Sequence, residues 1–391
     1  MTSRRGIRLA IAAAATLSSA VPARAQSVTD VLAFLATNRS IQTDDFDRDR
    51  AAAQATSDTI ARMLLATLST LPAPSSSSSF VYRLNPTLGT EERQTASFGP
   101  AFVQRALTAG AHQGAVAVTI QHLHFNSLDG RNLRDGSLVT VANQFTDESA
   151  PFDVDRLTLN VNASIATLYG SFGAAERLEI GFAAPVVMLR IEGSRVNTYR
   201  GSTFTQATAS ATALGLADVL VNGKYLLYDR DGARLAAAAA VRLPTGRRDD
   251  LLGSGSRSLN VTAVGSLEGR SVSTHANIGY TFGGISRELG YGLATAVAVT
   301  PRVTTSAELT GRWVYGAGQL VTSSAPHPRL VGVNTLRLLS TNTGANIVSV
   351  APGMKWNVGG TWVVAANVAL ALTHAGLVSP VTPFVGFDYT F

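Results

Sequence analysis

The 391-residue chain contains no cysteine, which excludes structural disulfides, thiolate metal sites and a lipid-anchored N-terminal cysteine. Charge is scarce: Asp, Glu, Lys and Arg make up 15% of the residues, against about 25% in ordinary soluble domains. With hydrophobic residues at 46%, much of the surface is suited to something other than water. Yet beyond the first 25 residues no stretch supplies the roughly 18 unbroken apolar residues of a membrane helix. The nearest, Trp362 to Val378, carries Asn367, Thr373 and His374 and alternates instead of running solid, which argues against a helical membrane protein. A basic run is also missing. Of the 32 Lys and Arg set against 26 Asp and Glu, Arg4, Arg5, Arg8 and Arg24 lie at the N-terminus; without them the balance is 28 to 26. Nothing points to nucleic acid, and no phosphate-loop or dinucleotide fingerprint is present.

The first segment, MTSRRGIRLAIAAAATLSSAVPARAQ, combines early arginines, an apolar run from Ile7 and Ala23-Arg24-Ala25 before Gln26. That is the pattern of a secretory signal peptide over residues 1–25, so the mature chain is expected outside the cytoplasm.

From residue 114 onward the hydrophobic period is two. In RLTLNVNASI, Leu157, Leu159, Val161, Ala163 and Ile165 alternate with Thr158, Asn160, Asn162 and Ser164. Such alternation marks strands. About 12 of these segments, each long enough for a tilted membrane strand, fall at 114–126, 156–171, 177–190, 215–228, 233–243, 258–268, 272–282, 289–299, 303–315, 346–357, 361–373 and 381–391. Most connections between them alternate between long (127–155, 191–214, 244–257, 316–345) and short (172–176, 229–232, 269–271, 300–302, 358–360). Short periplasmic turns, long external loops and an even strand number describe an outer-membrane barrel. The presumed lipid face carries Tyr169, Tyr225, Trp356, Trp362 and Tyr389 toward the short-turn end, and Tyr280, Phe282, Tyr291, Trp313 and Tyr315 toward the other. These are the two girdles expected at lipid–water interfaces. The chain closes on VTPFVGFDYTF, an alternating aromatic strand that must pair with the first to leave no edge. It resembles the C-terminal signal read by the barrel-assembly machinery.

Residues 26–113 differ. Ile60, Met63, Leu64, Thr67, Leu68 and Leu71 recur at helical spacing, which predicts a helix over about 45–71, ended by Pro72-Ala73-Pro74 and a serine linker at 75–79. This segment is expected to be a helical periplasmic extension or a plug in the lumen.

On the lumen face the candidates for selectivity are Asp218, Lys224, Arg242, Glu308, Arg312 and Lys355, with Glu268 and Asp388 among many small residues. Gly290, Gly292, Ala294, Ala296 and Ala298, with Ala236, Ala238 and Ala240, leave room for a solute, a loop or the N-terminal segment. No catalytic residue and no cofactor is assigned. Ser273, His275 and Asn277 resemble pieces of a hydrolytic site, but residues two apart on a strand lie about 6–7 Å apart, too far for a nucleophile–base contact in most rotamers. His122 and His124 share a face but lack the acid that would complete a metal site, so no metal is assigned.

GLADVLVNGKYLLYD (215–229) followed by AAAVRLPTGRRDDLLGSGS (238–256) resembles the outer-membrane family named for the MetA pathway of phenol degradation, with its Gly-x-x-Asp strand and its Pro-Thr-Gly turn into a glycine-rich outer loop. In pattern the resemblance covers most of 114–391, and FadL-type hydrocarbon channels share its general plan. It implies uptake of small aromatic or hydrophobic compounds. The expectation is thus an all-β protein: a transmembrane antiparallel barrel of about 12 strands at 114–391, in the outer membrane after signal-peptide removal, with lipid, assembly machinery and a small solute as partners. The alternatives are an outer-membrane barrel enzyme and a structural barrel with a closed lumen.

Overall fold

A computed structural model of the chain describes residues 27–36, 46–70, 79–85, 90–316, 319–327 and 329–391. The signal-peptide segment and residues 75–78 of the serine linker lie outside these. Two helices come first, α1 (Val28–Ala36) and α2 (Phe46–Thr70). The strands follow in chain order: β1 (Tyr82–Asn85), β2 (Thr90–Arg93), β3 (Gly114–Phe125), β4 (Ser127–Leu128), β5 (Arg131–Asn132), β6 (Leu138–Phe145) and β7 (Asp153–Ala175). Next are β8 (Leu178–Tyr199), β9 (Ser202–Leu216), β10 (Val219–Arg230), β11 (Ala233–Leu243), β12 (Ser258–Glu268), β13 (Val272–Gly283) and β14 (Glu288–Thr300). The last are β15 (Val303–Val314), β16 (Leu320–Pro326), β17 (Val333–Ser340), β18 (Ala345–Gly359), β19 (Trp362–Ala371), β20 (Leu377–Val378) and β21 (Val381–Thr390).

Twelve strands close a ring in the order β7, β3, β21, β19, β18, β15, β14, β13, β12, β11, β10, β8 and back to β7, every pair antiparallel. The terminal strand seals it, with Phe384 opposite Gln121 and Thr390 opposite Ala115. Closure leaves no unpaired ladder in the ring, the condition for a sheet in lipid. Outward positions form an exposed apolar band including Val118, Ile120, Ile180, Val261, Ile278 and Leu293. Tyr225, Trp356, Trp362 and Tyr389 border this band toward the short turns, and Phe282, Trp313 and Tyr315 toward the long loops. A closed barrel with this surface belongs in an outer membrane.

Three features differ from the sequence reading. Tyr169 does not belong to the girdle: it is 6% exposed and points inward against Ala183 and Leu220. The stretch 191–214 is not a loop, because β7 and β8 run on beyond the ring and β9 folds back along β8, from Ser202 opposite Tyr199 to Leu216 opposite Val186. Together with β6, β17 and β16 they make a six-stranded extension at the long-loop end. β9 escapes a hydropathy reading because exposed Thr208, Ser210 and Thr212 alternate with the small residues Ala207, Ala209, Ala211 and Ala213. The third difference is α1, where Ser27 Oγ accepts a hydrogen bond from the Asp30 amide (3.1 Å), capping a helix too short to show a clear period.

The helices pack on the inward face of the extension. Val28, Val31, Leu32 and Leu35 of α1 and Ile60, Met63, Leu64 and Leu68 of α2 are buried with Leu157, Leu159 and Val161 of β7 and Leu189 and Ile191 of β8. This apolar core lies at the long-loop end of the molecule. Residues 95–113 follow a different path, crossing the interior near the short turns without regular structure.

Candidate functional site in the barrel interior

Small inward side chains make room for the crossing segment. Ala106 packs on Ala236 and Val264, and a Cβ on Gly292 would lie 3.0 Å from Val103. At Gly173 any side chain would run into the carbonyl of Gly110. Lacking a helix or ladder of its own, the segment has its backbone groups satisfied by the wall.

The wall does so mainly with charge. Glu308 of β15, 1% exposed, accepts the amides of Ala101 (2.6 Å), Phe102 (2.8 Å) and Val103 (2.8 Å). Lys355 of β18 donates to the carbonyls of Phe98 (3.2 Å) and Pro100 (2.8 Å). Lys224 of β10 donates to the Arg105 carbonyl (3.3 Å) and pairs with Glu179 at 3.5 Å, while Glu179 accepts the Ala109 amide (2.8 Å). Hydrogen bonds to ionised partners are about twice as strong as neutral ones, so the segment is bolted at several heights. It also brings its own cation. Arg105 is fully buried; desolvation lowers its guanidinium pKa, and the surrounding Glu268, Glu179 and Asp388 oppose that shift.

The Ser273 and His275 pair belongs to the same attachment, and here the expected separation fails. His275 Nε2 lies 3.1 Å from Ser273 Oγ, because both side chains lean toward each other along the strand. The other ring nitrogen meets Ser266 Oγ at 2.8 Å, where a catalytic triad would have an acid. Ser266 Oγ also accepts the Ala106 amide (2.9 Å), and Ser273 Oγ touches Ser97 Oγ (2.8 Å). Asn277, with its amide turned to satisfy both ends, bonds the Gln104 backbone (2.6 and 3.0 Å). His122 and His124 stand instead on the outward face of β3 near its long-loop end, bonded to Ser164 (2.9 Å) and to Asn162 and Arg134 respectively.

The remaining candidates lie nearer the long loops. Asp218, in the break between β9 and β10, accepts the Gly246 amide (3.0 Å) on one oxygen and the Ser254 amide (2.8 Å) and hydroxyl (2.6 Å) on the other. A Cβ on Gly253 would lie 2.5 Å from the same carboxylate. The two sequence motifs thus meet: the Gly-x-x-Asp acid draws the glycine-rich loop inward, burying Leu251 and Leu252 with α1. Arg312 donates to the Ala66 carbonyl of α2 (2.8 Å) and faces Glu288 at 3.6 Å. Arg242 lines a polar cavity with Arg312, Glu288, Asn222 and Asn260.

Two cavities stand on the long-loop side of the crossing segment. The polar one, ≈ 240 Å³, ends on Gln104. The other, ≈ 230 Å³, ends on Phe102 and is mostly apolar, with Leu123, Phe125, Ile347, Ala351 and Ala369 in its walls. Arg312 borders both. Beside the apolar cavity the β18–β19 ladder skips two steps: partners run Val350 with Leu370, then Gly353 with Asn367, passing over Ala351 and Pro352, the latter having no N–H to donate.

The sequence profile of the family described as "Putative MetA-pathway of phenol degradation" matches residues 142–376, more than half of the chain. No curated protein matches. Solved structures to which the chain is similar include the COG4313 outer membrane channel from Pseudomonas putida F1 (14% identity, TM-score 0.47, covering 73% of this chain and 98% of that one). Others are the toluene transporter TbuX of Ralstonia pickettii (9% identity, TM-score 0.30, covering 72% and 90%) and Salmonella typhi OmpF in complex with daunomycin (9% identity, TM-score 0.29, covering 72% and 98%).

Proposed function

The chain belongs to the MetA-pathway-of-phenol-degradation family, and from that premise we propose that it is an outer-membrane channel for passive uptake of small aromatic or hydrophobic molecules, closed at rest by residues 95–113. The observation that carries this reading is the pair of interior cavities that lie on the long-loop side of that segment and end on its Phe102 and Gln104. A solute would pass from the external loops into a cavity and wait on the segment until it shifts. Selection then comes from bore and lining, with weak binding at successive sites, since tight binding would stop the flow.

In this reading Glu308, Lys355 and Lys224 do not face the solute but hold the plug, and Asp218 holds the external loop. Arg242 and Arg312 are left to set the character of the polar cavity. The lipid-facing band and the sealing terminal strand support an outer-membrane lipid environment and assembly through the barrel-assembly machinery.

Single-channel recording of the full chain in a planar bilayer tests this. Rare, small steps are expected, becoming frequent in Glu308→Ala, which frees the amides of residues 101–103. Silence from both proteins, with barrel migration on a gel still heat-modifiable, favours a structural barrel with a closed lumen.

One observation favours an enzyme, the 3.1 Å contact of Ser273 with His275. Both are 1% exposed and occupied by Ser97 and Ser266, so we read them as anchors of the plug. Hydrolysis of ester substrates by the wild type that is lost in Ser273→Ala would reverse that assignment.

A further inference from the structure

At the floor of the apolar cavity three adjacent strands align one residue each at the same height, all pointing inward: Gln121 of β3, Phe384 of β21 and Asn367 of β19, the two amides both being register partners of Phe384. Phe102 of the plug lies on the Phe384 ring, centroids 5.1 Å apart. Gln121 is 3% exposed and Asn367 4% exposed, and Gln121 Nε2 and both amide atoms of Asn367 have no hydrogen-bond partner. Burying amides in this way is costly, and a satisfied or an apolar side chain would fit the wall better for stability alone.

The polar side chains around them are committed. Thr310 and Ser349 bond each other (2.9 Å), Thr373 accepts the Val348 amide (3.0 Å), and Ser379 bonds the Val381 carbonyl (3.3 Å) and Thr382 (3.2 Å). Arg312, the cation in the cavity wall, is engaged by the Ala66 carbonyl and Glu288. An anion entering the cavity therefore finds no free charge. A molecule with no polar group leaves the amides as they are.

We infer that this cavity is a binding site for a neutral, single-ring-sized solute carrying a carbonyl-type oxygen, which Gln121 and Asn367 hold while Phe102, Phe125 and Ile347 enclose the ring. Gln121 and the next inward residues above the row, Thr382 and Ala369, line the cavity directly. Asn367 is not in that lining: its amide sits over Gly353, and a tilt of the Phe102 ring away from Phe384 would let it turn toward the solute. The same tilt loosens the plug backbone beside Glu308, so the polar end of the solute would be read at the point where the channel is closed. The inference rests on the channel reading above and narrows its substrate class.

The test uses the full chain in detergent micelles with three probes of similar size, 4-fluorobenzamide, fluorobenzene and 4-fluorobenzoate, followed by ligand-observed fluorine NMR against protein-free micelles. Binding is expected in the order benzamide, then fluorobenzene, then benzoate. Gln121→Leu and Asn367→Leu should each weaken benzamide about tenfold and leave fluorobenzene unchanged, with heat-modifiable migration confirming the barrel. Equal binding of benzamide and fluorobenzene, indifference of benzamide to both variants, or tightest binding of benzoate would overturn the assignment. Conductance keeps the two readings apart. Channel steps with no amide-dependent binding would remove this site and leave the channel; amide-dependent binding with no flux of any solute would leave the site and remove the channel.

Discussion

The two halves of the interior are filled by opposite means. Near the long loops α1 and α2 bury leucines, valines and a methionine against the inward face of β7 and β8, and helical hydrogen bonds satisfy the backbone internally. Near the short turns residues 95–113 have no regular structure, so the barrel wall supplies partners: Glu308, Lys355, Lys224, Glu179, Ser266 and Thr304. The difference is one of directionality. Apolar burial tolerates small shifts at little cost, whereas a carboxylate holding three amides has one good geometry and loses it all at once. A filling meant to stay is well served by the first kind, and a filling meant to release is well served by the second.

The strongest way to break that comparison is Glu308→Ala. It leaves three buried amides without an acceptor, a loss of about 3–5 kcal/mol concentrated in the crossing segment. Hydrogen exchange at Ala101, Phe102 and Val103 should accelerate by roughly two to three orders of magnitude, while the amides of α1 and of residues 57–68 keep their rates. Uniform acceleration across both regions would mean that the interior opens as one unit.

What was legible beforehand follows the same division. The ring strands showed themselves because lipid on one face forces an apolar period of two: β11, Ala233–Leu243, and β12, Ser258–Glu268, have the ends expected from sequence. Gly215 to Asp218 and Leu243 to Gly246 were readable as a motif, although its purpose, Asp218 capping the loop at Gly246 and Ser254, needed coordinates. The extension was not legible, since most of β9 alternates only among Thr, Ser and Ala and β17 is eight residues long. Neither was the path of the crossing segment, which has no period of its own. Tyr169 was placed outward because aromatics near a strand end suit a girdle, yet Ala117, Ala183 and Ala240 leave an inward pocket for it. The six selectivity candidates face inward, but the partners of Glu308, Lys355 and Lys224 are backbone atoms of a distant segment, which no spacing rule reveals.

A second substitution probes the apolar half. Leu64 is fully buried between α2 and the wall, so Leu64→Ala should cost about 3 kcal/mol through lost burial and the cavity left behind. The expected signature is faster exchange and protease access in α1 and α2, with unitary conductance and the exchange of residues 101–103 unchanged. The halves meet at Arg312 on the Ala66 carbonyl and at the cavity shared by Thr67 and Phe102. If Leu64→Ala also raised channel activity, the helices would be part of the gate.

The smallest expected effect is the most discriminating for the loop between the halves and the outside. Asp218→Asn keeps the shape but replaces one acceptor oxygen by an amide nitrogen, which cannot receive the Gly246 amide or the Ser254 amide and hydroxyl on that side. About 1–2 kcal/mol should be lost, drawn from the 244–257 loop. That loop covers α1 through the Thr29 amide bonded to the Asp249 carbonyl (3.1 Å) and through Leu251 and Leu252. Trypsin cleavage at Arg247 and Arg248 should therefore accelerate about tenfold while exchange in residues 101–103 stays fixed. If Asp218→Asn instead loosened the crossing segment as Glu308→Ala does, the external loop and the plug would be mechanically coupled through the polar cavity, where Ser254, Arg242 and Gln104 already share a wall. The division drawn here would then run between the two cavities instead of between the two ends of the barrel.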